Sequence, residues 1–248
     1  MRGATEMELK ICHMYPDVLN LYGDGGNIIC MKKRLNWRGI EASVTKLPIG
    51  ERASLADFDI VLIGGGQDFE QEVLLDDLHR GKDREIISAI DDGVVFLTIC
   101  GGYQMMGSYY ETYDGKRCDF IGAVDLYTVG SEQRMIGNYM FTCDEADCKI
   151  VGFENHSGKT YLGSGVKPLG KVLEGYGNNG EDGTAGARYK NVFASYSHGC
   201  LLPKNPKLAD LILKLALERK YGKVELPPLA DEFETAAHNY MEARLSRK

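Results

Sequence analysis

The stretch Val94-Val95-Phe96-Leu97-Thr98-Ile99-Cys100-Gly101-Gly102-Tyr103-Gln104-Met105-Met106-Gly107 constrains the fold more than any other. A short apolar, β-branched run of this kind reads as a buried strand. Cys100-Gly101-Gly102 stops it abruptly, and Tyr103, Met105 and Met106 supply apolar positions for a following helix. A cysteine therefore sits on a sharp strand-to-helix turn, the geometry that presents a nucleophile. The two glycines permit unusual backbone angles and close approach of a substrate. A helix N-terminus behind Cys100 favours thiolate over thiol, and the Gly101 N–H points where an oxyanion would form. The competing reading is a structural cysteine at a strand end, since free cysteine is often a small core residue.

The rest of the chain repeats the strand-then-glycine pattern. Residues 9–15 read as a first strand, followed by the loop Asn20-Leu21-Tyr22-Gly23-Asp24-Gly25-Gly26-Asn27. Asp24 is placed to cap a helix running to about Arg38, with Gly39 as its stop and a second strand over 40–47. The loop is not G-x-G-x-x-G, so no dinucleotide fingerprint is present. A third strand over 57–63 runs into Gly64-Gly65-Gly66, which exposes backbone N–H groups suited to an anion or an oxyanion; the plainer reading is a turn into the next helix. That helix runs toward Leu78, and another covers 82–91. Segments near 121–128, 137–142 and 149–153 read as short strands without helices between them, an antiparallel addition to a parallel sheet. Arg134 lies between two of them, either as an exposed cation or as a bidentate grip on a carboxylate. The polar run 175–183 reads as a flexible loop. Residues 191–196 form another strand that delivers Ser197-His198-Gly199. A histidine there is placed to act as a general base; His156, in a more polar stretch, is its competitor. Helices are expected over 208–219 and, after a Pro-containing linker, over 231–244. The organisation expected is one domain over 1–222, with linker and tail helix over 223–248.

Several functions are excluded. Thirty-six acidic against 29 basic residues, a net charge of −7, argue against non-specific nucleic-acid binding. No apolar run is long enough to span a bilayer, and Met1–Lys10 carries no signal-peptide pattern. Seven irregularly spaced cysteines point to a reducing, cytoplasmic setting. Cys143, Cys148 and His156 lack paired metal-ligand spacing, so no metal site is expected. The run from Gly152 to Thr160 ends in Gly-Lys-Thr, but its glycines stand one residue too far apart for a P-loop, and Glu154 would oppose a phosphate.

Three features thus fall at the carboxyl ends of the expected parallel strands: Gly64-Gly65-Gly66, Cys100 and His198. That edge is where open α/β sheets build sites. A cysteine, a histidine and oxyanion donors from Gly65, Gly66 and Gly101 make acyl-transfer machinery. Ile99-Cys100-Gly101-Gly102-Tyr103-Gln104 after Ile63-Gly64-Gly65-Gly66, with the later Tyr196-Ser197-His198-Gly199, resembles a class I glutamine amidotransferase domain. The Gly-Phe-Glu-Asn-His motif at 152–156 is similar to that of the cobyric-acid-synthase-like branch. Within that branch, 20–28, 66–71, 175–179 and 189–191 resemble the glutaminase subunits of lipid II isoglutaminyl synthases.

The resemblance implies a flavodoxin-like α/β fold: an open, mostly parallel sheet with helices on both faces and an antiparallel extension. It implies Cys100 as nucleophile, His198 as base, and Gln104 and Arg134 as contacts to L-glutamine. It implies glutamine hydrolysis to glutamate and ammonia, with no cofactor in this chain. The ammonia would pass, in a heterodimer, to a Mur-ligase-like synthetase subunit of the MurT type that uses ATP and Mg to amidate the D-glutamate of the peptidoglycan stem. One departure stands out: many class I members place a glutamate two residues after the histidine, and here that position is Cys200. The residue that orients His198 is then either absent, as the resemblance to the cobyric-acid-synthase-like branch implies, or a carboxylate that the partner supplies on complex formation, in which case the isolated subunit hydrolyses glutamine slowly. The alternatives are another acceptor of cobyrinate type, a cysteine hydrolase acting on other amides, and a non-catalytic interaction subunit.

Overall fold

The computed structural model describes residues 7–66 and 68–246; Gln67, within the 66–71 resemblance, and the first six residues lie outside the described residues. In chain order the elements are β1 (Glu8–Met14), α1 (Gly25–Asn36), β2 (Glu41–Leu47), β3 (Ile60–Ile63), α2 (Asp68–Asp77), α3 (Asp83–Asp91), β4 (Val95–Ile99) and α4 (Gly101–Met105). There follow β5 (Tyr109–Glu111), β6 (Arg117–Asp119), β7 (Leu126–Cys143), β8 (Cys148–Leu162), β9 (Gly170–Glu174), β10 (Thr184–Ala185), β11 (Ala187–Tyr189) and β12 (Val192–Ser195). Helices α5 (Leu201–Lys204), α6 (Pro206–Tyr221) and α7 (Glu232–Leu245) complete the chain.

The first sheet has the order β11-β12-β4-β3-β1-β2, parallel except for the antiparallel edge strand β11. Every residue of β3, β4 and β12 is buried, which is why these strands are continuous apolar runs rather than alternating ones. From β1 the chain crosses through α1 to β2 on one side; from β3 it crosses through α2 and α3 to β4 on the other. Right-handed crossovers in opposite directions place these helices on opposite faces, so the sheet is doubly wound. The switch point falls between β1 and β3, where loops leave the carboxyl ends toward opposite faces and open a crevice. The exits of β12, β4, β3 and β1 stand side by side along it.

The second sheet corrects the expectation of separate short strands. β7 and β8 form one long antiparallel hairpin, with a bulge at 131–134 between the Gly130↔Gly158 and Met135↔His156 pairs. β5, β6, β9 and β10 extend it. The 152–160 run is therefore extended strand, with the rejected P-loop's Gly158-Lys159-Thr160 inside the ladder. Gly152 is required where β8 meets the end of β12: a Cβ there would lie 1.9 Å from Ser197 Oγ. The 175–183 segment is not a flexible loop either. Its Asn178 and Asn179 are buried, and their side chains bond Thr184, Gly186, Thr160 and Asp182. Glu154, buried in β8, accepts the N–H groups of Tyr176 and Gly177 at 2.5 and 3.0 Å. Polar residues here serve as internal struts, because buried backbone groups need partners.

The C-terminal segment is tied to the body. Arg34 of α1, 2% exposed, donates to Asp210 of α6 and to Asp231 just before α7. Leu245 of α7 packs with Met140 and Val151 of the hairpin. Among the described residues no helix is long and apolar enough to cross a membrane.

Candidate active site

Cys100 occupies the turn between β4 and α4 with φ 50° and ψ −105°, a strained conformation for a non-glycine residue and of the kind that clusters at active sites. Two contacts hold the turn: Cys100 N–H donates to Ser195 O on β12 (2.9 Å), and Gly102 N–H to Gly64 O (3.1 Å). Gly102 has to be glycine, since a Cβ would lie 2.6 Å from Ile63 O. The helix behind the cysteine is shorter than its sequence indicated, ending at Met105.

His198 follows β12. Its backbone N–H donates to Phe153 O at 2.6 Å, which seats it between the two sheets. The ring is fully buried, and neither nitrogen has a hydrogen-bond partner among the described residues. Burial, with His156 nearby adding to it, lowers the imidazole pKa to about 3. The ring therefore stays neutral at ordinary pH, with one ring nitrogen carrying a free lone pair. His198 and Cys100 meet over Gly65: a Cβ on Gly65 would sit 2.9 Å from His198 Cε1 and 3.2 Å from Cys100 Cβ.

The triple-glycine loop is held from the β1 side. Leu21 N–H donates to Gly65 O (3.2 Å), and Gly65 N–H donates to Asp24 Oδ2 (2.8 Å). This corrects two expectations. Asp24 makes no side-chain cap to α1; Asn20 Oδ1 takes the Gly25 N–H instead. And the Gly65 N–H is committed to a carboxylate, while Gly66 lines the open pocket. Asp24 is fully buried, with Oδ1 unpartnered. Burial pushes its pKa up to about 6, against the Gly65 hydrogen bond that lowers it.

Cys100 opens on a cavity of about 200 Å³ lined by Leu21, Tyr22, Gly66, Gln104, Arg134 and residues 155–158. Gln104 and Arg134, expected as substrate contacts, both reach it. Gln104 is anchored by donating to Tyr196 OH at 3.1 Å. Arg134 sits in the β7 bulge, not in a loop between strands, and its Nε donates to Asn155 Oδ1 at 2.6 Å. Asn155 in turn donates to Tyr22 OH at 2.6 Å. His156 also lines the cavity, but its ring is stacked on Tyr196 at 3.6 Å and its Nδ1 bonds Gly158 O at 2.9 Å. It is a wall of the pocket, while His198 is the histidine that meets Cys100. Asp24, Tyr22 and Asn155 were not singled out as site residues from the sequence. For Asp24 and Tyr22 the signal was the 20–27 loop, which follows a strand at the sheet's carboxyl edge as Gly64–Gly66 does; for Asn155 it was the Gly-Phe-Glu-Asn-His motif at 152–156. Among the described residues no group of histidine, cysteine and acidic side chains could hold a metal ion.

A buried neutral histidine beside a cysteine on a strained elbow, facing an arginine across an amino-acid-sized cavity, is suited to acyl transfer from a small amide carrying an anionic group. Comparison with known proteins agrees. The chain is 41% identical over 241 residues to the GatD subunit of lipid II isoglutaminyl synthase (glutamine-hydrolysing) of Staphylococcus aureus, covering 97% of this chain and 98% of that protein. It is 40% identical over 231 residues to the subunit of the same name from Streptococcus pneumoniae, covering 92% and 88%. A crystal structure of a Thermotoga maritima glutamine amidotransferase matches the fold with a TM-score of 0.53 at 14% identity, covering 99% of this chain and all of the other. The model of the CobB/CobQ-like glutamine amidotransferase domain matches residues 10–206, and the chain belongs to that family.

Proposed function

We propose that this chain is the glutamine-hydrolysing subunit of a lipid II isoglutaminyl synthase. The observation that carries the reading is similarity at 40–41% identity, over nearly the full length of both chains, to two proteins of that name. In this reading Arg134 takes the α-carboxylate of L-glutamine and Gln104 lines the side-chain slot. The Cys100 thiol passes its proton to neutral His198, and Sγ attacks the carboxamide carbon. The N–H groups of Gly66 and Gly101 hold the oxyanion, with Gly65 fixing the loop through Asp24. His198 hands the proton to the departing nitrogen, the C–N bond breaks, and ammonia leaves a thioester on Cys100. Water, deprotonated by His198, then attacks the thioester carbon, and the C–S bond breaks to release glutamate.

The ammonia passes to a Mur-ligase-like partner of the MurT type, in a cytoplasmic heterodimer. The partner holds ATP and Mg, activates the D-glutamate carboxyl of the lipid II stem, and yields D-isoglutamine. The test is co-purification with that partner, followed by amidation of lipid II with glutamine or free ammonium as nitrogen source, read by mass spectrometry. The expected result is amidation with either source, with Cys100→Ala losing only the glutamine-driven reaction. Amidation from ammonium but not from glutamine with Cys100 intact would refute the reading. Glutaminase rates with and without the partner test whether a partner carboxylate serves His198; equal rates exclude it.

A further inference from the structure

No acidic side chain hydrogen-bonds the His198 ring among the described residues. The ring is held by packing. Tyr22 lies against it with centroids 4.3 Å apart and planes at 50°, and on another side stands Gly65, close enough that a Cβ would clash. Tyr22 is not a loose wall. Its hydroxyl accepts from Asn155 Nδ2, whose Oδ1 accepts from Arg134 Nε, both at 2.6 Å. Three segments distant in sequence thus form one chain of contacts: the loop after β1, strand β8 and the bulge in β7. One end is a guanidinium whose terminal nitrogens have no protein partner among the described residues. The other end is the aromatic surface that limits rotation of the base.

We propose that Tyr22 is the positioning residue of His198, and that Asn155 couples it to Arg134, so that an amino-acid carboxylate seated on Arg134 sets the orientation of the base. The proposal rests on the glutaminase reading for its substrate, but not for its geometry. A carboxylate partner both orients a histidine and stabilises its imidazolium. An aromatic ring orients without supplying charge, which suits a ring that burial keeps neutral. Arginine is the side chain for the far end, because its planar fork binds a carboxylate while another of its N–H groups keeps a fixed partner. Tyr22, Asn155 and Arg134 line the same cavity as Cys100, and His198 lies buried behind Tyr22, so a molecule bound there touches Arg134 at one end and the tyrosine that packs on the base at the other.

The test uses the full chain, alone and with its synthetase partner, in three variants: Tyr22→Phe, Tyr22→Ala and Asn155→Ala. Tyr22→Phe keeps the ring and is expected to hold kcat within about threefold while KM rises. Tyr22→Ala frees the base and is expected to lower kcat about 100-fold, the cost of misplacing a catalytic group by about an ångström. Asn155→Ala is expected to act mainly on KM, about tenfold, because it uncouples Arg134 while leaving the ring in place. Two further readouts separate positioning from simple loss of structure. The His198 Cε1–H proton resonance, shifted by the tyrosine ring current, should survive in Tyr22→Phe and move in Tyr22→Ala. Alkylation of Cys100 by iodoacetamide, which needs no arginine, should slow in Tyr22→Ala and, as a control, in His198→Ala. If the native chain releases no ammonia from glutamine even with its partner, the glutaminase reading fails, and the alkylation and resonance arms still decide the positioning role. Unchanged kcat and unchanged Cys100 alkylation in Tyr22→Ala would overturn the proposal. So would Tyr22→Phe failing as badly as Tyr22→Ala, since the hydroxyl and not the ring would then be the working part.

Discussion

Asp24→Asn should make the protein more stable at pH 8. Asp24 is fully buried, accepts one backbone N–H through Oδ2, and leaves Oδ1 without a partner. Its pKa is pushed up from 3.8 to about 6 by burial. The folded protein therefore binds this proton more tightly than the unfolded chain does. Between about pH 4 and 6 the native state holds more protons than the unfolded state, so stability falls as pH rises through that window. Above it the full penalty applies, about 3 kcal/mol at 1.36 kcal/mol for each tenfold change in proton affinity. Asparagine keeps an oxygen for the Gly65 N–H and cannot ionise. The variant should gain about 2–3 kcal/mol at pH 8, which for a chain of this size raises Tm by roughly 5 °C or more. Thermal melts of both proteins at pH 8, 6 and 4.5 measure it. His198, lowered to about 3, destabilises the fold on acidification below its unfolded value of 6.5, but it does so equally in both proteins and drops out of the difference. The gap should be widest at pH 8 and nearly closed by about pH 4. A variant no more stable than the native protein at pH 8, or a gap that ignores pH, would refute the reasoning.

Cys100→Ala is expected to abolish ammonia release while the melting profile stays close to native, because the side chain lost is small and lies at the cavity wall; retained glutaminase activity would rule out the thioester route. Gly65→Ala should cut kcat about 100-fold and cost roughly 1–3 kcal/mol by over-packing: the backbone there is outside the left-handed region, yet the new Cβ falls 2.9 Å from His198 Cε1 and 3.2 Å from Cys100 Cβ. Arg34→Ala should cost roughly 2–4 kcal/mol, below the fully buried case because Asp210 and Asp231 remain partly solvated, and limited proteolysis should then cut within 223–231 faster than in the native chain. The acid limb of the glutaminase pH–rate profile should have its midpoint near 6, from Asp24, and should flatten in Asp24→Asn; a limb at 6.5 that survives in the variant would show that His198 titrates as an ordinary histidine.

The parts of the fold legible in the sequence are those where burial leaves a simple signature. β3, β4 and β12 are buried at every position, so they stand out as apolar runs, and the residues that end them, Gly64–Gly66, Cys100 and His198, mark the site. The β7–β8 hairpin was not legible as one unit. Gly130, Gly137, Gly152 and Gly158 interrupt it like breakers, but at three of these positions glycine is demanded by packing: a Cβ would lie 2.7 Å from Tyr113 N at Gly130, 1.9 Å from Ser197 Oγ at Gly152 and 2.5 Å from Gln104 Nε2 at Gly158. Asp24 was read as an N-cap because an aspartate before a helix has the same local pattern in either role. What decides is a tertiary contact, the Gly65 N–H brought over from β3. Asn178 and Asn179 were read as loop residues for the same reason: polarity does not reveal whether an amide faces water or a buried backbone.

The crevice between β1 and β3 inverts the ordinary order of two titrations. In water a carboxyl group ionises near 4 and an imidazole is protonated below about 6.5, so between those values the two form an ion pair. Here Asp24 is held up to about 6 and His198 down to about 3, so over most of that range both are neutral. The cause is common to both: each is delivered by a strand exit into the same dry edge of the sheet, where charge of either sign is disfavoured. At neutral pH the only one of the two to carry charge is Asp24, the group that touches Gly65 rather than the base. The site thus keeps a neutral imidazole in His198 and uses the Asp24 carboxylate to fix the glycine loop. Among the described residues of this chain, the orientation of His198 is left to packing, which is where Tyr22 stands.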